Sequence, residues 1–257
     1  PKLQILNHDW YTLTSGGVMS VYKFKVLIVL CLITVQVVVA EDEPTTAFNR
    51  EDDDPLELLI KGNQRFVENK SLCENMTQES REELAEDQSP IATLIVCSDS
   101  RVAPEQIFDQ KMGKLFVIRL AGNVVDQFAL ASIEYGVSVL KTPLIIVMGH
   151  QNCGAVKEAF KLEEETYSAN ISSLLVEIYP SVKQVKDQNH LSETEQLKLA
   201  TQYNVENSHR QAILRSPVIR DLVKEEKVKI VDAFFYIDTG KVEWGPFNSK
   251  TKPFWKN

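Results

Sequence analysis

The chain has 257 residues, a hydrophobic share of 44% and a formal net charge of −8. That length suits one α/β domain with extensions better than two domains, and the apolar share is enough for a sizeable core. The acidic balance argues against nucleic acid and anionic membrane surfaces as partners.

Residues 1–18 have no clear periodicity and include Ser15-Gly16-Gly17. From Met19 the pattern changes. Lys23 and Lys25 precede an uncharged, almost wholly apolar run from Val26 to Ala40, and acidic Glu41-Asp42-Glu43 follows at once. A basic stretch, a short apolar run and a small residue before a polar segment describe a secretory leader. The run is shorter than the roughly 20 apolar residues of a membrane-spanning helix. The expectation is therefore an upstream read-through over 1–18 and a leader over 19–40, cut after Ala40. The product would be a secreted or otherwise extracytoplasmic chain with no stable membrane anchor. The alternative is an uncleaved segment that anchors the chain. Residues 41–54, with the cluster Glu51-Asp52-Asp53-Asp54, read as a solvated acidic linker.

Asp54-Pro55 opens the folded part, residues 55–257. Asp54 is a plausible N-cap and Pro55 falls at the first helical position. Leu56, Leu59, Ile60 and Phe66-Val67 form an apolar stripe at near-helical spacing. Lys70 to Gln88 is polar. Asn69, Asn75 and Asn170 each begin a glycosylation sequon. Ile91 to Val96 is a continuous apolar run rich in β-branched residues, which reads as a buried strand of a parallel sheet. A short helical turn follows around Pro104, then a strand over Lys114–Leu120 and a turn at Ala121-Gly122-Asn123. Gln127–Leu140 reads as a helix with Phe128, Ala131, Ser132, Tyr135 and Val139 on one face. Leu144–Gly149 is a second buried strand. Helices are expected over Gly154–Glu165, Ile171–Lys186 and Thr194–Arg215. A last strand, Val228–Ile237, turns at Asp238-Thr239-Gly240-Lys241 and returns as Val242-Glu243-Trp244. The pattern is that of an α/β fold: a mostly parallel central sheet flanked by helices, with an N-terminal helical arm.

The chemistry gathers at the carboxyl ends of the two buried strands, where open α/β sheets place their ligands. The first ends in Cys97-Ser98-Asp99-Ser100-Arg101 and the second in His150-Gln151-Asn152-Cys153-Gly154. Thiolate and imidazole are ligands that zinc prefers. Cys97, His150 and Cys153 would leave one position for water, Asp99 or substrate. The remaining cysteines support no disulfide framework. Cys31 lies in the leader, and Cys73 is left over as a free thiol exposed on a loop. The helix starting at Gly154 would offer its N-terminal amides to nearby anionic charge. The spare histidines, His190 and His209, read as surface residues rather than proton shuttles.

These segments, with Arg119-Leu120-Ala121-Gly122-Asn123 and Ile133-Glu134-Tyr135 in order between them, resemble the β-class carbonic anhydrases over about residues 55–245. The resemblance implies that Cys97, His150 and Cys153 hold one zinc ion per chain and that Asp99 and Arg101 form the catalytic dyad. Asp99 would serve as fourth ligand in a closed state. It places Gln88, Phe116, Tyr135 and Gly154 around the substrate pocket. It implies reversible hydration of carbon dioxide to bicarbonate and a proton by zinc-activated hydroxide, in a homodimer or higher homo-oligomer whose N-terminal helix often crosses a partner. One bacterial subgroup carries an inhibitory bicarbonate site that uses a Trp three positions before the first Cys ligand. Leu94 stands there in this chain, so no such site is expected. A carbon disulfide or carbonyl sulfide hydrolase, or a binding module without turnover, are the competing readings.

Overall fold

A computed structural model of the chain describes residues 54–73 and 77–247. The expected leader and the residues ahead of it, most of the acidic linker and the sequon at Asn75 lie outside the described residues. Among the described residues, no helix is long and apolar enough to cross a membrane.

In chain order the elements are α1 (Pro55–Val67), α2 (Gln78–Leu84), β1 (Ala92–Val96), α3 (Pro104–Ile107) and β2 (Leu115–Arg119). After β2 come a 3-10 turn (Ala121–Asn123), α4 (Gln127–Ser138), β3 (Leu144–His150) and α5 (Gly154–Ala159). The chain continues through α6 (Ala169–Lys183), α7 (Glu193–Arg215), α8 (Pro217–Lys224), β4 (Lys229–Phe235) and β5 (Val242–Trp244). The strands form one sheet in the order β2-β1-β3-β4-β5. The first four are parallel, and β5 runs antiparallel to β4. Every residue of β1 and β3 is buried, because helices cover both faces; this is why these strands read as unbroken apolar runs.

One core lies under α1 and α3, with Leu59, Leu94, Phe108, Ile146 and Phe235 at its centre. A second lies under α4, α7 and α8, around Ile95, Ile133, Val147, Val205 and Ile219. Asp54 caps α1, accepting the Leu56 N–H at 2.9 Å. The arm is held on its own chain: Asn63 donates to the Ile107 and Gly240 carbonyls and accepts the Val242 N–H. Gly62 permits the closest approach, since a Cβ there would lie 1.8 Å from the Phe108 carbonyl oxygen.

The structure departs from the sequence reading in several places. The helix expected over Gly154–Glu165 ends at Ala159 and gives way to i→i+3 turns. Glu163 pairs off-helix with Tyr179 and Lys186. α2 and α8 are additional; α8 has Ser216 as its cap and Pro217 at its first position. The α4 face that carries Phe128, Tyr135 and Val139 points outward, at 80%, 45% and 58% exposure, while Ala129, Ile133, Gly136 and Val137 are buried. His209 is a buried residue rather than a surface one, with Nδ1 2.8 Å from Asp232 Oδ1. Its partner lies on β4, out of reach of any local pattern. Cys73 is free but half-buried rather than exposed. Its backbone N–H bonds to Asp109 at 3.0 Å, and burial pushes its thiol up to about 11.

Candidate metal centre

The order β2-β1-β3 means that the chain leaves β1 towards one edge and then crosses back to the other side. The crevice beyond the carboxyl ends of β1 and β3 is therefore a topological switch point. Val96 pairs with Met148 and with Arg119, so Cys97, His150 and the loop after Arg119 emerge side by side. Ligand atoms of Cys97, His150 and Cys153 all lie within 4.8 Å of one another, and the three residues are buried. The two sulfurs are 4.0 Å apart.

His150 faces its Nδ1 to the Gln151 carbonyl at 3.0 Å. A proton on Nδ1 donates there and leaves Nε2 with its lone pair, buried and without a hydrogen-bond partner. A buried, unsatisfied ring nitrogen is costly unless something else coordinates it. Two zinc–sulfur bonds of about 2.3 Å at a tetrahedral angle would set sulfurs about 3.8 Å apart. Donor set, spacing and orphaned nitrogen therefore fit a tetrahedral metal ion.

Cys97 Sγ accepts the backbone N–H of Asp99 at 3.4 Å and of Gly122 at 3.3 Å. The sulfur–sulfur pairing with Cys153, with help from these amides, outweighs burial and lowers the pKa of Cys97. Cys153 is pushed upward by the same pairing and by its burial. A cation between the two sulfurs would favour the thiolate form of both.

Asp99 and Arg101 stand at the mouth. Arg101 Nε and Nη2 donate to Asp99 Oδ1 and Oδ2 at 2.9 and 2.7 Å, and the Arg101 backbone N–H adds a third bond at 3.0 Å. This side-chain pairing, the largest effect, holds the Asp99 carboxyl well below the usual carboxylate range. Arg101 also reaches the Asn152 carbonyl at 3.2 Å, tying the two strand-end loops together. Asp99 Oδ2 lies 3.9 Å from His150 Nε2. Arg119, at the end of β2, donates to the Asp99 carbonyl at 2.8 Å and the Cys97 carbonyl at 3.4 Å. It braces the Cys97–Asp99 loop, a role that its place in Arg119-Leu120-Ala121-Gly122-Asn123 hinted at without defining.

The four expected pocket residues divide. Gly154 opens α5 directly after Cys153, with open space where a Cβ would stand. Phe116 and Tyr135 lie together, ring centroids 5.9 Å apart. Phe116 pairs with Thr93, three residues before the Arg119 level, or about 10 Å back along the strand at ~3.3 Å per residue. Gln88 sits in the exposed segment before β1. A single chain therefore brings Cys97, Asp99, Arg101, His150, Cys153 and Gly154 together, but not the other three.

A parallel sheet with two sulfurs, an imidazole and a braced carboxylate–guanidinium pair at its switch point describes a metal-dependent α/β enzyme. The family model described as carbonic anhydrase matches residues 92–242. A carbonic anhydrase from Mycolicibacterium smegmatis is 36% identical over 72% of this chain and 89% of its own length. Beta carbonic anhydrase 6, mitochondrial, from Arabidopsis thaliana is 30% identical over 79% of this chain and 73% of its own. Among solved structures, the β-carbonic anhydrase CcaA aligns with a TM-score of 0.59 at 26% identity, over 74% of this chain and 95% of its own. A tetrameric β-carbonic anhydrase from Sordaria macrospora aligns with a TM-score of 0.61 at 24% identity, over 76% and 98% of the two chains. The chain belongs to the carbonic anhydrase family, in its β class. It is an enzyme of the family that hydrates carbon dioxide.

Proposed function

We propose that the chain hydrates carbon dioxide to bicarbonate with one zinc ion held by Cys97, His150 and Cys153. The observation that carries this is the buried His150 Nε2, without a hydrogen-bond partner, grouped with two sulfurs within 4.8 Å. When bound, zinc would lower the pKa of a water from about 15.7 to about 7, making hydroxide available near neutral pH. Asp99 supplies an acceptor beside that position. Held by both oxygens, it takes a hydrogen bond from the attacking O–H and leaves an oxygen lone pair directed at the substrate carbon. Arg101 keeps the carboxylate ionised and holds it 3.9 Å from the imidazole Nε2. Release of Asp99 from Arg101 would let it approach the metal position and close the site. Gly154 leaves the approach clear of side chain.

Phe116, Tyr135 and Gln88 line a pocket of this kind only if a second copy presents them. The exposed apolar face of α4, with Phe128, Tyr135 and Val139, supports a homodimer or larger homo-oligomer built through it. The pattern over residues 19–40 supports export of the enzyme, with carbon dioxide or bicarbonate in an extracytoplasmic fluid as its substrate.

Zinc content and stopped-flow hydration of carbon dioxide, measured on one preparation, test the proposal. The expected result is about one zinc per chain and turnover that rises with pH through the neutral range. A folded, zinc-loaded protein without hydration activity, or one that turns over carbon disulfide or carbonyl sulfide instead, would overturn it.

A further inference from the structure

We infer that Asn204 of α7 is a positioning residue for the metal centre, acting on the Cys97 sulfur through Gly122. Asn204 is fully buried, and its Nδ2 donates to the Gly122 carbonyl at 2.6 Å across 82 residues of sequence. Gly122 in turn donates its N–H to Cys97 Sγ at 3.3 Å. The inference rests on the metal reading of Cys97, His150 and Cys153, and adds the means by which one ligand is aimed.

The turn that contains Gly122 is closed by the Asn123 N–H on the Leu120 carbonyl at 3.0 Å, a bond that leaves the Gly122 carbonyl to another donor. Gly122 has φ +64°, a left-handed conformation that favours glycine. A Cβ there would meet Ile178 Cδ1 at 2.5 Å, so a larger residue would strain the backbone and force the buried Ile178 to shift. The freedom that lets glycine enter this conformation also lets it leave. Asn204 restricts that freedom by binding the carbonyl from α7, in a buried setting where a carbonyl without a donor is costly. With the carbonyl fixed, the amide on the other side of the same Cα is aimed at Sγ. Such outer hydrogen bonds orient ligands and tune their donor strength. Ile178 and Ala155 pack against the Gly122 Cα, so the turn is held by apolar contact as well as by the Asn204 hydrogen bond.

Two metal-substituted forms test this. In the wild-type chain loaded with NMR-active cadmium, the Gly122 amide proton should show scalar coupling to the metal through Sγ. In Asn204→Leu the coupling should vanish, and cadmium and zinc affinity, read by chelator competition, should fall about 10- to 100-fold. In the cobalt form the thiolate-to-metal charge-transfer band should move to longer wavelength as the sulfur loses a donor. In the zinc form kcat should fall with KM unchanged. Asn204→Ser, too short to reach the carbonyl, should reproduce these changes and serves if the leucine variant does not fold. A wild-type chain that takes up no cadmium would overturn the metal reading and this inference with it. Cadmium uptake without Gly122 coupling, or Asn204 variants with unchanged affinity and charge-transfer band, would overturn this inference alone.

Discussion

Replacing Arg101 by alanine tests the site most directly. Asp99 would lose two charge-assisted hydrogen bonds, at 2.9 and 2.7 Å. Bonds to charged groups contribute about 1.5–3 kcal/mol each when sheltered. The Arg101 side chain is 47% exposed and that of Asp99 is 16% exposed, so solvent screening reduces the pair to about 2 kcal/mol in total. The Arg101 backbone N–H bond remains. About 2 kcal/mol corresponds to roughly a 30-fold shift in the balance between Asp99 held outward and Asp99 turned towards His150 Nε2, now 3.9 Å away. Arg101→Ala should therefore keep its zinc and lose roughly 10- to 30-fold in kcat/KM for carbon dioxide hydration. The loss follows because Asp99 competes for the position that the attacking water needs. Arg101→Lys restores the charge without the fork and should recover only part of the activity. Stopped-flow hydration from about pH 6 to 9, a range centred near the expected water pKa, together with metal analysis, is the assay. Unchanged turnover across that range, or loss of zinc with the side chain, would refute the reasoning.

Cys153→Ser and Cys97→Ser should each lose zinc and activity together, and full zinc occupancy in both would exclude them as ligands. Asp109 tests how the arm is secured. Burial raises its pKa, but the Leu72 N–H, Ser71, Arg65 and the Cys73 N–H outweigh burial and hold the carboxyl well below the usual range. A folded pKa below the unfolded value of about 3.9 adds stability above that value, and this is lost as pH falls towards the folded pKa. Asp109→Asn should thus be less stable than wild type near pH 7 by about 2 kcal/mol. The gap should narrow below about pH 4, as urea titrations at several pH values would show; a gap independent of pH would contradict it. Leu94, fully buried in the core under α1, has no N–H to stand in for the indole donor that an inhibitory bicarbonate pocket needs. Added bicarbonate should therefore inhibit without sigmoidality, and a sigmoidal curve would reveal a regulatory site. Terminal sequencing of the native protein should begin at or near Glu41, and a cytosolic chain starting at Ser20 would exclude export.

Much of the fold and the metal-ligand candidates was legible in the sequence. Ala92–Val96 and Leu144–His150 are buried on both faces, so their apolar runs need no neighbours to be read. The reactive residues follow those runs directly, and a strand's end is a local property. Asp54-Pro55 likewise marked the start of α1, because capping involves only adjacent residues. Ser216-Pro217 carried the same signal for α8, followed by Val218, Ile219, Leu222 and Val223 at helical spacing, and the sequence reading passed over it.

Only the tertiary structure decided matters that depend on distant partners. Which face of α4 is buried depends on where the sheet lies, and both faces carry apolar residues. His209 is buried because Asp232, on a different element, meets its ring nitrogen. Phe116 stands apart from Cys97 because strand register sets its level, and Tyr135 of α4 packs against it. Asn204 reaches the metal loop because α7 packs behind the turn at Gly122. Residue spacing along the chain encodes which groups are available to a site. The register of β1, β2 and β3 and the packing of α7 determine which of them meet, since hydrogen bonds and coordination act over a few ångströms in space and not along the sequence.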